Sequence, residues 1–244
     1  MPEREEGRVV KSVGQCGRSL RSFGIFEKLS KGALDRLSAA CHWSAYDDGE
    51  EIVPYLDDHD DVYFLASGTA RVMLYSRTGK AVAFRIIEAG DIFGELAAID
   101  HAPRSARVEA SSACVVARLP AEIFRMAMRD EPCVMEAVAR HLVSQVRELT
   151  ARVFAFSTLS VKTRIQSEIL RLAGDPPDDA VRVLIPRFPT HGDLAVRVST
   201  HREAVTREIG SLARQGVLSR AGRDLEIIDI ARLRAMVEEG ESGE

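Results

Sequence analysis

The spacing of apolar residues switches from helical to strand-like and back along this chain. From Phe26 to Ala40 the set Phe26, Leu29, Leu34 and Leu37 predicts one or two short helices. From Glu51 the texture becomes short runs rich in Val, Ile, Tyr and Phe: EIVPYL, DVYFLA, TARVMLYS, AVAFRIIE and later ACVVARL. Between them lie DDG, DDHDD, ASG, RTG and EAGD, turn chemistry at spacings of roughly 8–14 residues, the mark of an antiparallel β-sandwich or barrel. Pro54 belongs at an edge or bulge, because it offers no N–H to a ladder. Pro120 opens a helix over AEIFRMAMRD and Pro132 a longer one, since the first helical turn tolerates a missing N–H.

In that longer helix Met135, Ala139, Leu142, Val146, Leu149, Val153 and Phe156 recur at intervals of 4-3-4-3-4-3, an unbroken seam with Met135, Leu142, Leu149 and Phe156 at d. Such regularity favours a parallel two-stranded coiled coil over a helix lying on its own domain. In this register Gln145 falls at g, Thr150 at e, and Arg147 at b, pointing away from the seam. A further helix follows from Leu159 to Gly174, and GDPPDD reads as a linker-like loop.

Composition narrows the class. The 244 residues are 45% hydrophobic and 29% charged, with a net charge of −4. This is a globular balance, and no run approaches the ~18 apolar residues of a membrane span. The charged start MPEREEGRVVKS lacks a secretory apolar core, so a cytoplasmic location is expected. Cys16, Cys41, Cys114 and Cys133 are too dispersed for a metal or iron–sulfur cluster, and reduced thiols are expected. Residues 1–157 are net acidic, whereas residues 196–223 hold six Arg against two Glu. That local excess suggests a polyanion partner for the C-terminal part, although a solvated helix face would carry the same charge.

Two motifs carry chemistry. In GDIFGELAAIDHAPRSARV, Gly94 and the start of a short helix offer backbone N–H groups to an anion. Arg104 adds a planar fork for phosphate oxygens, Ser105 a hydroxyl and Ala106 a further N–H. Glu95 has the wrong charge for phosphate but suits a hydroxyl donor such as a ribose. Together they point to a nucleotide. FGELAAIDHAPRSARV resembles the phosphate-binding cassette of cyclic-nucleotide-binding domains. The resemblance implies that Glu95 holds the ribose 2′-hydroxyl and Arg104 the cyclic phosphate. Gly94, Leu96, Ser105 and Ala106 would complete the cassette, with Gln145 and Thr150 near the base. In cyclic-AMP-responsive relatives a Thr-Ser pair contacts the adenine, one member coming from the other subunit. Here Leu149-Thr150 stands there, so only the second hydroxyl remains.

The second motif runs from Thr190 to Arg214. Thr190 is an N-cap with Asp193 three residues on, a carboxylate version of the capping box. Leu194, Ala195 and Val198 give a first helix its apolar face. Val198-Ser199-Thr200 is a tight turn, with Thr200 expected to cap the second helix and Glu203 three residues on. Val205, Ile209 and Leu212 form that helix's buried side, leaving Arg202, Glu203 and Arg207 on its surface. This is a helix-turn-helix, whose second helix enters the major groove. Arg can bond G O6 and N7, and Glu can accept from C N4, so the triplet can read G·C pairs. Residues 217–228 read as a β-hairpin wing with Gly222 at its tip. The resemblance is to the CRP/FNR family of bacterial transcription regulators and covers about residues 22–235. In cyclic-AMP-responsive members a matching Arg-Glu…Arg reads a TGTGA-like half-site. His201 departs from the family, where a small hydroxyl residue is common.

The expected fold is therefore α+β: a leader (1–22), an antiparallel, jelly-roll-like β-roll binding a cyclic nucleotide (23–131), a dimerisation helix (132–157), a winged helix-turn-helix domain (158–236) and an acidic tail (237–244). The expected effector is cyclic AMP and/or cyclic GMP, with no metal. The expected partners are a second copy, palindromic double-stranded DNA and, by resemblance, RNA polymerase, with no membrane. Thr190, Thr200, His201, Arg202, Glu203 and Arg207 are the expected DNA-binding residues. The same fold with a haem, redox or ligand-independent sensor stays open. No GxxxxGK[ST], GxSxG or HExxH occurs, and the six His are scattered, so an enzyme is not expected.

Overall fold

The computed structural model describes residues 4–5, 8–9, 11–12, 19–75, 81–174, 176–177 and 180–242. The chain divides into two compact units, Met1–Gln145 and Val146–Glu244, with the division inside a long helix.

In the first unit β1 (Arg4–Glu5) pairs with β2 (Arg8–Val9), and β3 (Lys11–Ser12) follows. Two 3₁₀ turns, Leu20–Ser22 and Gly24–Phe26, precede α1 (Lys31–Ala40). Ser30 caps α1 by accepting from the Ala33 N–H at 3.2 Å. Then come β4 (His42–Tyr46), β5 (Glu51–Val53), β6 (Val62–Ser67), β7 (Thr69–Tyr75), β8 (Ala81–Glu88), β9 (Ile92–Phe93), α2 (Glu95–Asp100), β10 (Arg107–Ala110), β11 (Cys114–Leu119), α3 (Ala121–Asp130) and α4 (Pro132–Thr158). All the strand pairs are antiparallel, in the orders β3-β4-β11-β6-β9 and β5-β10-β7-β8. The expected β-roll is thus present, and Pro54 directly follows an edge strand.

Strand β6 shows why the two sheets and the helices cohere. Successive side chains point to opposite faces of a strand. Tyr63 and Leu65 join Ile52, Ala70, Ile87, Phe93, Val108 and Val116 in one core. Val62 and Phe64 enter a second core with Phe23, Phe26, Phe124, Val134 and Val138. Leu20 is fully buried there, so the last residues of the expected leader are part of the fold. Strands β4, β9 and β10 escaped the hydrophobic pattern, because two to five residues carry too few alternations.

Helix α4 begins at Pro132 and has two apolar faces. Val134 and Val138 are buried against the first unit's core, with Leu142 packed beside them. Met135, Val146, Leu149, Val153 and Phe156 are exposed. The seam expected of a coiled coil is therefore uncovered along most of its length, while the start of the helix lies on its own domain. Cys41, Cys114 and Cys133 form no disulfide among the described residues, and Cys16 lies outside them. Burial pushes the Cys41 thiol up to about 12 and, with Glu50 nearby, Cys114 to about 11, so both are poor nucleophiles.

The second unit holds α5 (Val161–Leu172), β12 (Val183–Ile185), α6 (His191–Arg197), α7 (Arg202–Arg214), β13 (Leu218–Ala221), β14 (Asp224–Ile227) and α8 (Ile230–Ser242). Its strands form an antiparallel sheet in the order β12-β14-β13. Ile165, Ile169, Leu194, Val205, Leu212, Leu225, Ile227 and Leu233 make its core. Two expectations change here. Residues 237–242 continue α8 with Val237 buried, so the acidic stretch is helix rather than tail as far as Ser242. Thr200 does not cap the next helix: its N–H bonds Ala195 O at 2.9 Å and closes α6, with Ser199 in the left-handed region at φ 53°. The N-cap of α7 is His201, which makes no side-chain cap bond. Asp175, Asp178 and Asp179 of the expected linker lie outside the described residues.

Candidate functional site

The first site lies where β9 turns into α2. Gly94 sits at φ 81°, and a Cβ there would lie 2.7 Å from Arg104 Nη1 and 3.0 Å from Asp61 O. Only glycine permits both the backbone and the approach of the arginine. Arg104 is 4% exposed. Its Nη1 donates to Gly94 O at 2.9 Å and its Nη2 to Asp61 O at 2.6 Å. The guanidinium stands 5.5 Å from the Tyr63 ring centre, and Tyr63 stacks on Phe93. Both hydrogen bonds end on carbonyls, and among the described residues no carboxylate pairs with Arg104. Its Nε is buried without a partner. A buried cation held this way keeps its charge available to an anion.

Glu95, at the first position of α2, is 3% exposed. Its Oε1 accepts from Gln145 Nε2 at 2.9 Å, and His141 Nε2 lies 3.7 Å away. Burial alone would push this carboxyl up. The neighbouring His141 imidazole, the Gln145 donor and a backbone N–H outweigh that and hold it below the usual carboxylate range. Arg125 ties α3 to this region, donating to Ala98 O at 2.9 Å and Asp60 Oδ2 at 2.8 Å.

The structure thus brings Gly94, Glu95, Arg104 and Gln145 together. Leu96 and Ser105 are exposed and Ala106 is half-buried, each within two residues of Gly94 or Arg104 in sequence. Thr150 is exposed, and its hydroxyl donates to Val146 O at 2.8 Å on its own helix. His141 is a residue of this site that the sequence, with its six scattered His, did not single out. Its i,i+4 relation to Gln145 was the available signal, because that spacing puts both on one helix face.

The second site is on the C-terminal unit. Thr190 caps α6 as expected, its Oγ1 accepting from the Asp193 N–H at 3.2 Å and lying 2.7 Å from Asp193 Oδ2. Val205, Ile209 and Leu212 bury one side of α7, while His201, Arg202, Glu203 and Arg207 are exposed at its N-terminal half. Strands β13 and β14 form the wing, and Gly222 takes φ 66° at its tip. Behind α7, Gln166 Nε2 donates to Glu208 Oε1 at 2.6 Å, and Arg152 Nη2 reaches Ser199 Oγ at 3.2 Å beside the turn.

An antiparallel β-roll with a buried carboxylate and arginine, and a winged helix-turn-helix with an exposed basic helix, define a ligand-responsive DNA-binding regulator. Residues 44–131 match the cyclic nucleotide-binding domain, and residues 163–236 the Crp-like helix-turn-helix domain. The chain is 25% identical over 202 residues to the cAMP-activated global transcriptional regulator Vfr of Pseudomonas aeruginosa, covering 80% of this chain and 92% of that one. A CRP/FNR-family transcriptional regulator of Thermus thermophilus is similar in structure, with a TM-score of 0.59, 25% identity, and coverage of 81% of this chain and 99% of that one. The c-di-GMP responsive regulator CLP of Xanthomonas campestris shares the fold at TM-score 0.66, 18% identity, and coverage of 81% and 99%. The chain belongs to the CRP/FNR family of transcription regulators. Among the described residues no helix is long and apolar enough to cross a membrane.

Proposed function

We propose that this chain works in the bacterial cytoplasm as a homodimeric transcription regulator that binds cyclic AMP and/or cyclic GMP in its β-roll and, in response, a palindromic DNA site. The observation that carries this reading is the presence, at one glycine turn, of a nearly fully buried, ionised Glu95 and an Arg104 that makes no ion pair among the described residues. A cyclic nucleotide offers the matching groups: an anionic phosphate for Arg104, Ser105 and the backbone N–H groups of Leu96 and Ala106, and a hydroxyl donor for Glu95. Gln145 and Thr150 would stand near the base. RNA polymerase would be met at the promoter.

The mechanism follows from differential binding: a ligand shifts an equilibrium only by preferring one state. Glu95 is gripped by Gln145 of α4, so a 2′-hydroxyl entering the site competes with, or adds to, a contact made by that helix. The same helix carries the exposed seam through which a second copy would pack. A change in seam packing re-spaces two recognition helices, which need about 34–36 Å to enter successive major grooves. The experiment is calorimetric titration with cyclic AMP, cyclic GMP and cyclic di-GMP, each followed by DNA binding. Cyclic mononucleotide binding that raises DNA affinity supports the reading. Response to cyclic di-GMP alone, or to none of the three, would replace the effector while leaving the regulator.

Two outcomes follow from individual residues. Wild type should prefer cyclic AMP over 2′-deoxy cyclic AMP by roughly 10-fold, the worth of a hydrogen bond to a charged group. In Glu95→Ala that preference disappears; a preference that persists assigns the hydroxyl elsewhere. Arg207→Ala should cost roughly 1–3 kcal/mol in specific DNA binding and relax the choice at one G·C pair. Equal weakening on all sequences, with a salt slope lower by about one, would make Arg207 a phosphate contact.

A further inference from the structure

The hydrogen-bond geometry points to His191 as a positioning residue of the DNA interface, whose neutral imidazole relays the wing arginine Arg220 to the recognition helix. This rests on the DNA-binding reading above. Arg220 Nη2 on β13 lies 2.6 Å from His191 Nε2 on α6. His191 Nδ1 lies 2.8 Å from Thr206 Oγ1 on α7, and Thr206 Oγ1 donates to Arg202 O at 2.9 Å. The direction of every link is forced. A guanidinium only donates, so His191 Nε2 is the acceptor and the ring proton sits on Nδ1. The Thr206 proton is spent on the Arg202 carbonyl, so its oxygen is free to accept from that Nδ1–H.

The relay joins three elements, β13, α6 and α7, on an exposed face, and it ends beside Arg202 at the start of the recognition helix. The groups facing the ring are Arg220 from the wing and Arg202 from α7. Asp193, on His191's own helix, is engaged by Thr190. Burial first, then the charges of Arg220 and Arg202, hold the imidazole below its ordinary value, toward the neutral form that the relay needs. The functional consequence is preorganisation. An exposed arginine carries much rotamer freedom, and restricting it before DNA arrives lowers the cost of placing it on a phosphate.

The test uses the full chain with cyclic AMP present. One labelled duplex carries inverted TGTGA half-sites, and a second has the same composition scrambled. Long-range ¹H–¹⁵N spectra at pH 7.5 should show the His191 ring protonated on Nδ1, the minor form of free imidazole. Arg220→Ala and the isosteric Thr206→Val should each shift it toward the Nε2–H form. His191→Ala and Arg220→Ala should each weaken binding several-fold and lower the salt slope by up to about one. The double variant should be no worse than the weaker single. An Nε2–H ring in wild type, or losses that multiply in the double variant, would overturn the relay. A wild type that binds neither duplex would instead overturn the cyclic-AMP-dependent, TGTGA-type reading of the DNA site, and with it the role given to His191 there.

Discussion

Arg104→Ala should lower cyclic nucleotide affinity by at least about 100-fold. Charge-assisted hydrogen bonds are each worth about 1.5–3 kcal/mol, and a cyclic phosphate can take two from one guanidinium fork. Every ~1.4 kcal/mol is a factor of ten in affinity. The fork is already oriented by Gly94 O and Asp61 O, and it is already out of water, so little reorganisation offsets the gain. The same truncation strips two carbonyls of their donor, which should lower the unfolding temperature of the β-roll as well. Arg104→Lys separates the effects, because it keeps the charge and loses the planar fork. Calorimetry on both variants, alongside thermal unfolding, makes the measurement. Affinity unchanged in a folded Arg104→Ala protein would remove Arg104 from the phosphate site.

Leu149→Glu should break the dimer and take specific DNA binding with it. Leu149 is at a d position, exposed in the isolated chain and flanked along the seam by Val146, Val153 and Phe156. In a parallel pair the two copies of position 149 face each other, so the substitution sets two carboxylates together in an apolar seam. An uncompensated buried charge costs roughly 3–5 kcal/mol. The isolated chain should hardly register the change, since the position faces solvent there and the hydrophobic cores of both units lie elsewhere. Sedimentation should find a dimer for wild type and a monomer for the variant at the same concentration, with the circular dichroism unchanged. A dimeric Leu149→Glu protein would place the interface off this seam. Arg147, at b, provides the control: Arg147→Glu should leave the dimer intact.

The two motifs were legible because each depends on local spacing. F-G-E-L and P-R-S-A lie close together in the chain, and the turn into α2 within the first requires a glycine at φ 81°. Thr190, Asp193 and the apolar set of α6 and α7 likewise interact within a turn or two, so their caps and faces follow from periodicity. The misplaced cap at Thr200 marks the limit of that logic. Whether a threonine starts one helix or ends the previous one depends on where its backbone N–H goes, and here it goes back to Ala195 O.

What the sequence determined by itself is the order of a β-rich part, a long helix and a helix-turn-helix, together with the residue types of both motifs and the heptad spacing, because those follow from residue type and spacing along one chain. Only the tertiary structure decided the rest. Val134 and Val138 turn the start of α4 onto its own core, a face hidden beneath a stronger seam pattern. His141 joins Glu95 across 46 positions, and Arg220 meets His191 across 29. Such partners share no period. They meet because packing within each unit brings distant elements together, and a buried carboxylate or a bonded imidazole then takes its charge state from whatever packing has set beside it.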